Sequence, residues 1–292
     1  MLYRISALIC SLCAVLPAHA CTLWAAAGHA STDGTLLVKN RDWAPDHQQS
    51  LRLVKGRGYA FVGLYADGGR APGIKAGVNQ EGLSVVSASA SSLARSLRMA
   101  DSDRHGVMTQ ILRKYGSVAE LEADASHIFS QARPIFLMVA DQQRVLQVEV
   151  GQDGRFNMQE VRDGSIAHTN HYTTQGVLQD SQKPGDSSQT RLARIQALLA
   201  EHRQHSAAEF AAISKDRHDG PDNSLWRNGK EYTLASWQIA LPKRDSARLH
   251  LVLANPGQAQ QTLDYRLNRQ FWAQPSGILA GKGQAGDDDD GD

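Results

Sequence analysis

The chain has 292 residues, of which 41% are apolar, 21% charged and 6% aromatic, with three cysteines. That composition supports a sizeable core and excludes a disordered chain, a collagen-like repeat and a disulfide-dense miniature fold. Thirty-one Lys and Arg face 30 Asp and Glu without a basic stripe, which argues against a nucleic-acid partner.

Residues 1–20 read as an export signal. Arg4 is their only charged side chain, residues 5–16 form an apolar run, Pro17 breaks it, and Ala18-His19-Ala20 supplies a small-residue cleavage site. The run is too short for a membrane span, and no later apolar stretch reaches about eighteen residues. The expected location is therefore periplasmic or secreted. Cys10 and Cys13 leave with the signal, so Cys21, directly after the predicted cut, is the one cysteine that remains. No intramolecular disulfide is then available, and a lone thiol in an exported protein needs another reason. Three readings stand: an incidental thiol, the lipid-bearing cysteine of a lipoprotein, or a catalytic residue unmasked by processing. Ala18 and His19 depart from the Leu and small residue usual before a lipidated cysteine, and the third reading leads.

Strands are predicted over residues 22–27 and 35–39, joined through the turn Ser31-Thr32-Asp33-Gly34. Such a hairpin sets Cys21 beside the polar cluster Lys39-Asn40-Arg41-Asp42-Trp43. Strands follow over 51–54, 59–64, 74–78 and 83–87; Gly56-Arg57-Gly58 reads as a hairpin turn, since it lacks the third glycine and the helix of a dinucleotide fingerprint. Helical periodicity is confined to 107–115, 118–129 and 190–210, with a break near His205. The remaining strands are placed at 135–140, 145–150, 156–161, 166–169, 233–241 and 248–254. Runs of strands separated by grouped helices predict an antiparallel α+β fold in one domain over 21–280, with a disordered acidic tail over 281–292. The loops at 67–73 and 91–104 give no sign of their course.

Eleven histidines include the spacings His168-x-x-His171 and His202-x-x-His205, yet no cysteine or carboxylate cluster completes a zinc site. Neither a metal nor a cofactor is expected.

A cysteine at position one of a processed chain carries its own base. A free α-amine titrates at about 7.7–8.0, close to where a general base is most useful, and it can take the proton of its own thiol. The thiolate attacks an acyl carbon, fixed donors hold the oxyanion, and the ammonium returns its proton to the leaving amine.

Four motifs accompany Cys21-Thr22: Lys39-Asn40-Arg41-Asp42-Trp43, Gly77-Val78-Asn79-Gln80-Glu81-Gly82-Leu83, His168-Thr169-Asn170-His171-Tyr172 and Ser187-Ser188-Gln189-Thr190-Arg191. In this order they resemble the cysteine-type N-terminal-nucleophile hydrolases, namely the choloylglycine hydrolases (bile salt hydrolases and penicillin V acylases) and the related penicillin acyltransferase-like family. The resemblance covers residues 21–200 and implies a four-layer αββα sandwich, two antiparallel sheets flanked by helices. It implies Cys21 as nucleophile, Asp42 orienting its amine and Asn170 donating into an oxyanion hole. Arg191, with Lys39 or Arg41, would supply positive charge; bile salt hydrolases usually have Arg at the position of Lys39. Where those enzymes carry a second oxyanion Asn, this chain has Ser87, so a backbone N–H there, or Asn79, is the expected partner. Residues 222–226, 236–237 and 255–257 are similar to the penicillin acyltransferase-like members.

The expected activity is hydrolysis of a linear, non-peptide carbon–nitrogen amide bond in a small N-acyl amide, a conjugated amino acid, penicillin V or a bile-salt-like substrate. Two alternatives stand beside it: an acyltransferase, and a non-catalytic lipid-anchored binding protein in which an acylated Cys21 has lost its base. Homo-oligomerisation is left open by the sequence.

Overall fold

The first segment after the predicted signal is apolar at almost every position, as a strand covered on both faces has to be, and it forms β1 (Cys21–Ala27). The structure, a computed structural model, describes residues 20–68, 71–99, 106–178 and 181–281. The predicted signal up to residue 19, the tail beyond 281 and parts of the loops at 67–73 and 91–104 lie outside the described residues.

In chain order β1 is followed by β2 (Thr35–Trp43), β3 (Gln48–Val54), β4 (Phe61–Asp67), β5 (Gly73–Asn79) and β6 (Ser84–Ser89). Four helices come next: α1 (Arg95–Arg98), α2 (Met108–Lys114), α3 (Val118–Ala123) and α4 (Ala125–Ser130). Strands β7 (Ile135–Ala140), β8 (Val145–Val150), β9 (Phe156–Val161) and β10 (Gly164–His168) lead to α5 (Asp186–Ala200), α6 (Ala207–Ile213) and α7 (Gly220–Asn223). The C-terminal part holds β11 (Tyr232–Leu241), β12 (Arg248–Leu253), β13 (Gln261–Arg266), α8 (Arg269–Ala273) and β14 (Gly277–Ala280). The predicted helix over 118–129 is thus divided at Asp124, and that over 190–210 is two helices separated by residues 201–206. Strands β13 and β14 and the short α1, α7 and α8 were not expected.

Two antiparallel sheets result, one of six strands in the order β10-β1-β2-β11-β12-β13 and one of eight in the order β14-β3-β4-β5-β6-β7-β8-β9. The inward faces meet in one core that runs from Leu23 and Ala25 across to Val62, Ala76 and Met138 and on to Trp237 and Leu251. Helices α2 to α4 cover the outside of the larger sheet through Ile111, Leu112, Val118, Leu121 and Phe129. Helices α5 and α6 cover the smaller one through Ile195, Leu199 and Phe210, and Phe210 meets the fully buried Trp24 edge-on at 6.3 Å. Burial of each such large side chain contributes about 1.5–3 kcal/mol, so the four layers are fixed chiefly by their apolar faces. The expected αββα sandwich is the fold observed.

The turn into β2 explains how the sequence closes the first hairpin. Gly34 has φ +82° and lies where a Cβ would sit 2.4 Å from the Leu241 carbonyl oxygen, so only glycine fits this corner. From there β2 runs back along β1 and brings Arg41 opposite Cys21.

Candidate active site

Directly opposed residues of an antiparallel pair point to the same side of the sheet. Cys21 opposes Arg41 and Leu23 opposes Lys39, and Cys21 and Leu23 belong to the core between the sheets, so Lys39 and Arg41 also face inward. Thr22, Asn40 and Asp42 face the helices on the other side. Strand β2 does not end at residue 39 as predicted; it continues to Trp43, and this extension places the whole polar cluster in the sheet.

The Cys21 backbone N–H donates to Asn170 Oδ1 at 2.8 Å. Arg191 reaches across from α5: its Nη2 donates to the same oxygen at 3.1 Å, and its Nη1 donates to the Cys21 carbonyl at 2.8 Å and to Thr22 Oγ1 at 2.7 Å. The Ser187-Ser188 pair at the start of α5 completes this clamp. Ser187 Oγ accepts from Arg191 Nε at 3.3 Å, and Ser188 Oγ accepts the Asn170 N–H at 2.9 Å. Asn170 Nδ2 spends one of its two N–H bonds on the Ser89 carbonyl at 2.9 Å. Burial pulls the Arg191 guanidinium down to about 10, with the facing Asp42 carboxylate opposing the shift.

The loop that carries Asn170 is anchored by a residue the sequence did not point to. Glu149 on β8 accepts from His168 Nε2 at 2.8 Å, from Thr173 N at 2.8 Å and from Thr173 Oγ1 at 2.7 Å through one oxygen, and from Thr174 N at 3.0 Å through the other. Burial opposes ionisation of Glu149, but the His168 and Thr173 hydrogen bonds outweigh it and hold the carboxyl at about 2. His168 therefore serves a buried pair, and among the described residues no group of His, Cys, Asp and Glu is arranged to hold a metal ion.

Asp42 is fully buried and accepts from Thr233 Oγ1 at 2.7 Å; Arg227 Nη1 lies 3.9 Å from its second oxygen. Burial raises the Asp42 carboxyl, against the pull of Arg227 and Arg191. Arg227 also pairs with Glu231, whose Oε2 accepts the Ala20 N–H at 3.2 Å. Burial, opposed by Arg227 and reinforced by Asp42, pushes Glu231 up to about 7. Thr233, Arg227 and Glu231 were missed in the sequence because they sit on and before β11, about 190 residues from Asp42.

On the inward side Lys39 Nζ donates to the Ser87 carbonyl. Burial lowers its ammonium, and the charge of Cys21 opposes the shift. Arg41 donates through Nη1 to the Asp42 carbonyl at 2.9 Å, and its guanidinium lies 4.6 Å from the centre of the Trp43 ring. Both cations thus occupy the Cys21 side of the sheet. Asn40, between them, faces the helices and ties down the carbonyls of Ser214 and Leu225 at 2.7 and 2.8 Å.

One expectation changes. Asn79 is not beside Cys21: it closes the far end of β5, where its Nδ2 donates to the carbonyls of Leu112 and Tyr115 and its Oδ1 accepts from the N–H groups of Glu81 and Leu83. Ser87 does lie at the site, but it presents its carbonyl to Lys39. The acceptor of the Cys21 nitrogen is Asn170, and Asp42 is engaged by Thr233. A groove of about 560 Å³ lined by Asn79, Leu241, Lys243 and Trp272 opens at the opposite end of the strands, remote from Cys21. Among the described residues no helix is long and apolar enough to cross a membrane.

Two antiparallel sheets stacked between helical layers define the sandwich of the N-terminal-nucleophile hydrolases. Residues 30–258 match the family described as acyl-coenzyme A:6-aminopenicillanic acid acyl-transferase, and the chain belongs to that family. The fold is shared with a mutant of the conjugated bile acid hydrolase from Clostridium perfringens (TM-score 0.55, 13% identity, 88% of this chain and 96% of that one). A second variant of that hydrolase superposes with a TM-score of 0.52 at 14% identity, covering 84% of this chain and 97% of the other. No curated protein matches the sequence.

Proposed function

We propose that the chain is an exported hydrolase of linear carbon–nitrogen amide bonds in N-acyl amides, with Cys21 as nucleophile after removal of residues 1–20. The observation that carries this reading is the placement of Cys21: its nitrogen rests on Asn170 Oδ1 at 2.8 Å while its side chain belongs to the space between the sheets with Lys39 and Arg41. Removal of residues 1–20 turns that peptide N–H into a free amine. The amine takes the thiol proton, and the thiolate adds to the amide carbonyl carbon. As the carbon–nitrogen bond breaks, the ammonium returns the proton to the departing amine and a Cys21 thioester remains. Water then adds to the thioester, giving its proton to the amine, and the thiol departs with that proton as the free acid is released. In this scheme the remaining N–H of Asn170 Nδ2 is the side-chain oxyanion donor, Arg191 locks Asn170 and the Cys21 carbonyl, Lys39 steadies the thiolate, and Asp42 flanks the amine from the helix side.

The test is turnover of a panel of N-acyl amides by the secreted protein, with its intact mass and N-terminal peptide determined. A start at unmodified Cys21, activity, and its loss in Cys21→Ala are expected; full activity in Cys21→Ala overturns the proposal. The family description favours a second reading, transfer of the acyl group to an amine. Partition of the product between free acid and acylated amine, measured with added amine acceptors, separates the two. Lipid on Cys21 would instead favour a non-catalytic binding protein.

A further inference from the structure

Cys21 lies in a cationic setting. It interacts electrostatically with Lys39 and Arg41 of β2, with Lys75 of β5 in the other sheet, and with Arg191 of α5. An α-amine formed at this position therefore has four cations around it, and like charges favour its neutral form. With nothing to oppose them, the amine titrates below its ordinary range of about 7.7–8.0 and holds a thiol proton poorly.

Two carboxylates oppose those cations from the helix side. Asp42 is fully buried, and among the described residues its Oδ2 has no hydrogen-bond partner. Glu231, the residue before β11, is 2% exposed. Arg227 links the two, since its Nη1 donates to Glu231 Oε2 and lies 3.9 Å from Asp42 Oδ2. Burial lifts the Glu231 carboxyl to about 7, against Arg227 and Arg191 and with the help of Asp42, so it changes charge close to where an α-amine does. Its place in the chain ties it to Cys21. Glu231 Oε2 accepts the N–H of Ala20, the residue before Cys21, at 3.2 Å, while the Cys21 N–H rests on Asn170 Oδ1 at 2.8 Å. Consecutive residues lie about 3.8 Å apart, which leaves the Glu231 carboxylate within Coulombic reach of the Cys21 nitrogen in a buried setting. Removal of residues 1–20 takes the Ala20 N–H away and puts a charged donor at the next position. Asn170 Oδ1 is neutral and accepts one of that ammonium's three N–H bonds.

We infer that Glu231 is a positioning residue for the Cys21 α-amine: beside Asp42 it is the second counter-charge, which keeps the amine basic enough to take the thiol proton and to return it to the departing amine. The inference rests on Cys21 beginning the processed chain, and it serves hydrolysis and acyl transfer alike. An opposite charge raises the pKa of an amine, so loss of the Glu231 charge lowers it.

The experiment reads the amine itself. In processed Cys21→Ala protein, where no thiol competes, the rate of N-terminal carbamoylation by cyanate is followed against pH by mass of the N-terminal peptide. Adding Glu231→Gln is expected to lower the amine pKa by about one unit, and to move the acid limb of the kcat profile of the Cys21 enzyme down by the same amount. Glu231→Asp, whose charge stands one carbon further off, is expected to give a smaller fall in the same direction, and it decides the matter if the Gln protein does not fold. A purely structural Glu231 lowers kcat equally at every pH and leaves the amine pKa where it was. That result, or a rise in the pKa, overturns the inference. If the pKa falls as expected but the parent cleaves no amide, the Glu231 assignment stands and the hydrolase reading fails.

Discussion

The backbone nitrogen of Cys21 donates to Asn170 Oδ1, 2.8 Å away and 149 residues further along the chain. Because the acceptor is an amide oxygen, Asn170 holds the nitrogen in place without titrating, and its Nδ2 stays on the Ser89 side with one N–H to spare. Replacing Asn170 by Ala removes both the positioning oxygen and the donor. The expected result is a fall in kcat of about 10²–10³-fold with a much smaller change in KM. Steady-state kinetics on a folded variant, verified by circular dichroism, decides it; activity within threefold of the parent would remove Asn170 from the mechanism.

Arg191 makes four side-chain hydrogen bonds in a fully buried position, to Cys21, Thr22, Asn170 and Ser187. A guanidinium fork serves that geometry and an ammonium does not. Arg191→Met leaves Asp42 facing only Arg227 as its near cation on that side and should destabilise the fold by about 3–5 kcal/mol, whereas Arg191→Lys should restore charge without restoring the full set of bonds. Urea unfolding midpoints of the three proteins measure this. A Lys variant as stable and as active as the parent would show that charge alone suffices.

Asn79 offers the complementary case. Its side chain caps the carbonyls of Leu112 and Tyr115 at the end of α2 and closes the turn into β6, so its four bonds are structural. Asn79→Ala is expected to cost roughly 2–4 kcal/mol of stability and, below the unfolding range, to leave kcat unchanged. A large loss of kcat with unaltered stability would return Asn79 to the active site.

These residues show what a linear sequence discloses. The Lys39–Trp43 cluster and the Ser187-Ser188…Arg191 spacing were legible because each acts within one strand or one helical turn. Asn79 misled for the same reason: an Asn whose side chain bonds nearby backbone leaves the same local signature whether it shapes a turn or a site. Thr233 was illegible because strand register alone sets it opposite Asp42, and Glu149 because its partners His168, Thr173 and Thr174 come from the other sheet and the loop that follows it. Strand β13 escaped notice because its sequence Gln-Thr-Leu-Asp-Tyr-Arg lies on an exposed edge and carries little apolar signal. The helices of four or five residues are too short to display a period.

The Glu149 anchor makes a prediction whose sign follows from its ionisation. Its folded carboxyl titrates at about 2, below the ordinary 4.5, because the His168 and Thr173 bonds outweigh burial. The folded state therefore binds fewer protons than the unfolded one between those values, and the stabilisation is complete above pH 4.5 and lost as the pH falls toward 2. Its size is roughly 2–3 kcal/mol. Glu149→Gln should lower the urea midpoint at pH 6, with the deficit shrinking steadily as the pH is lowered toward 3. Since Asn170 is carried on the same loop, kcat at pH 7 should fall while the thermal transition remains cooperative. A deficit that stays constant across that pH range would mean that Glu149 acts through packing or neutral hydrogen bonds, and the charged anchor would have to be abandoned.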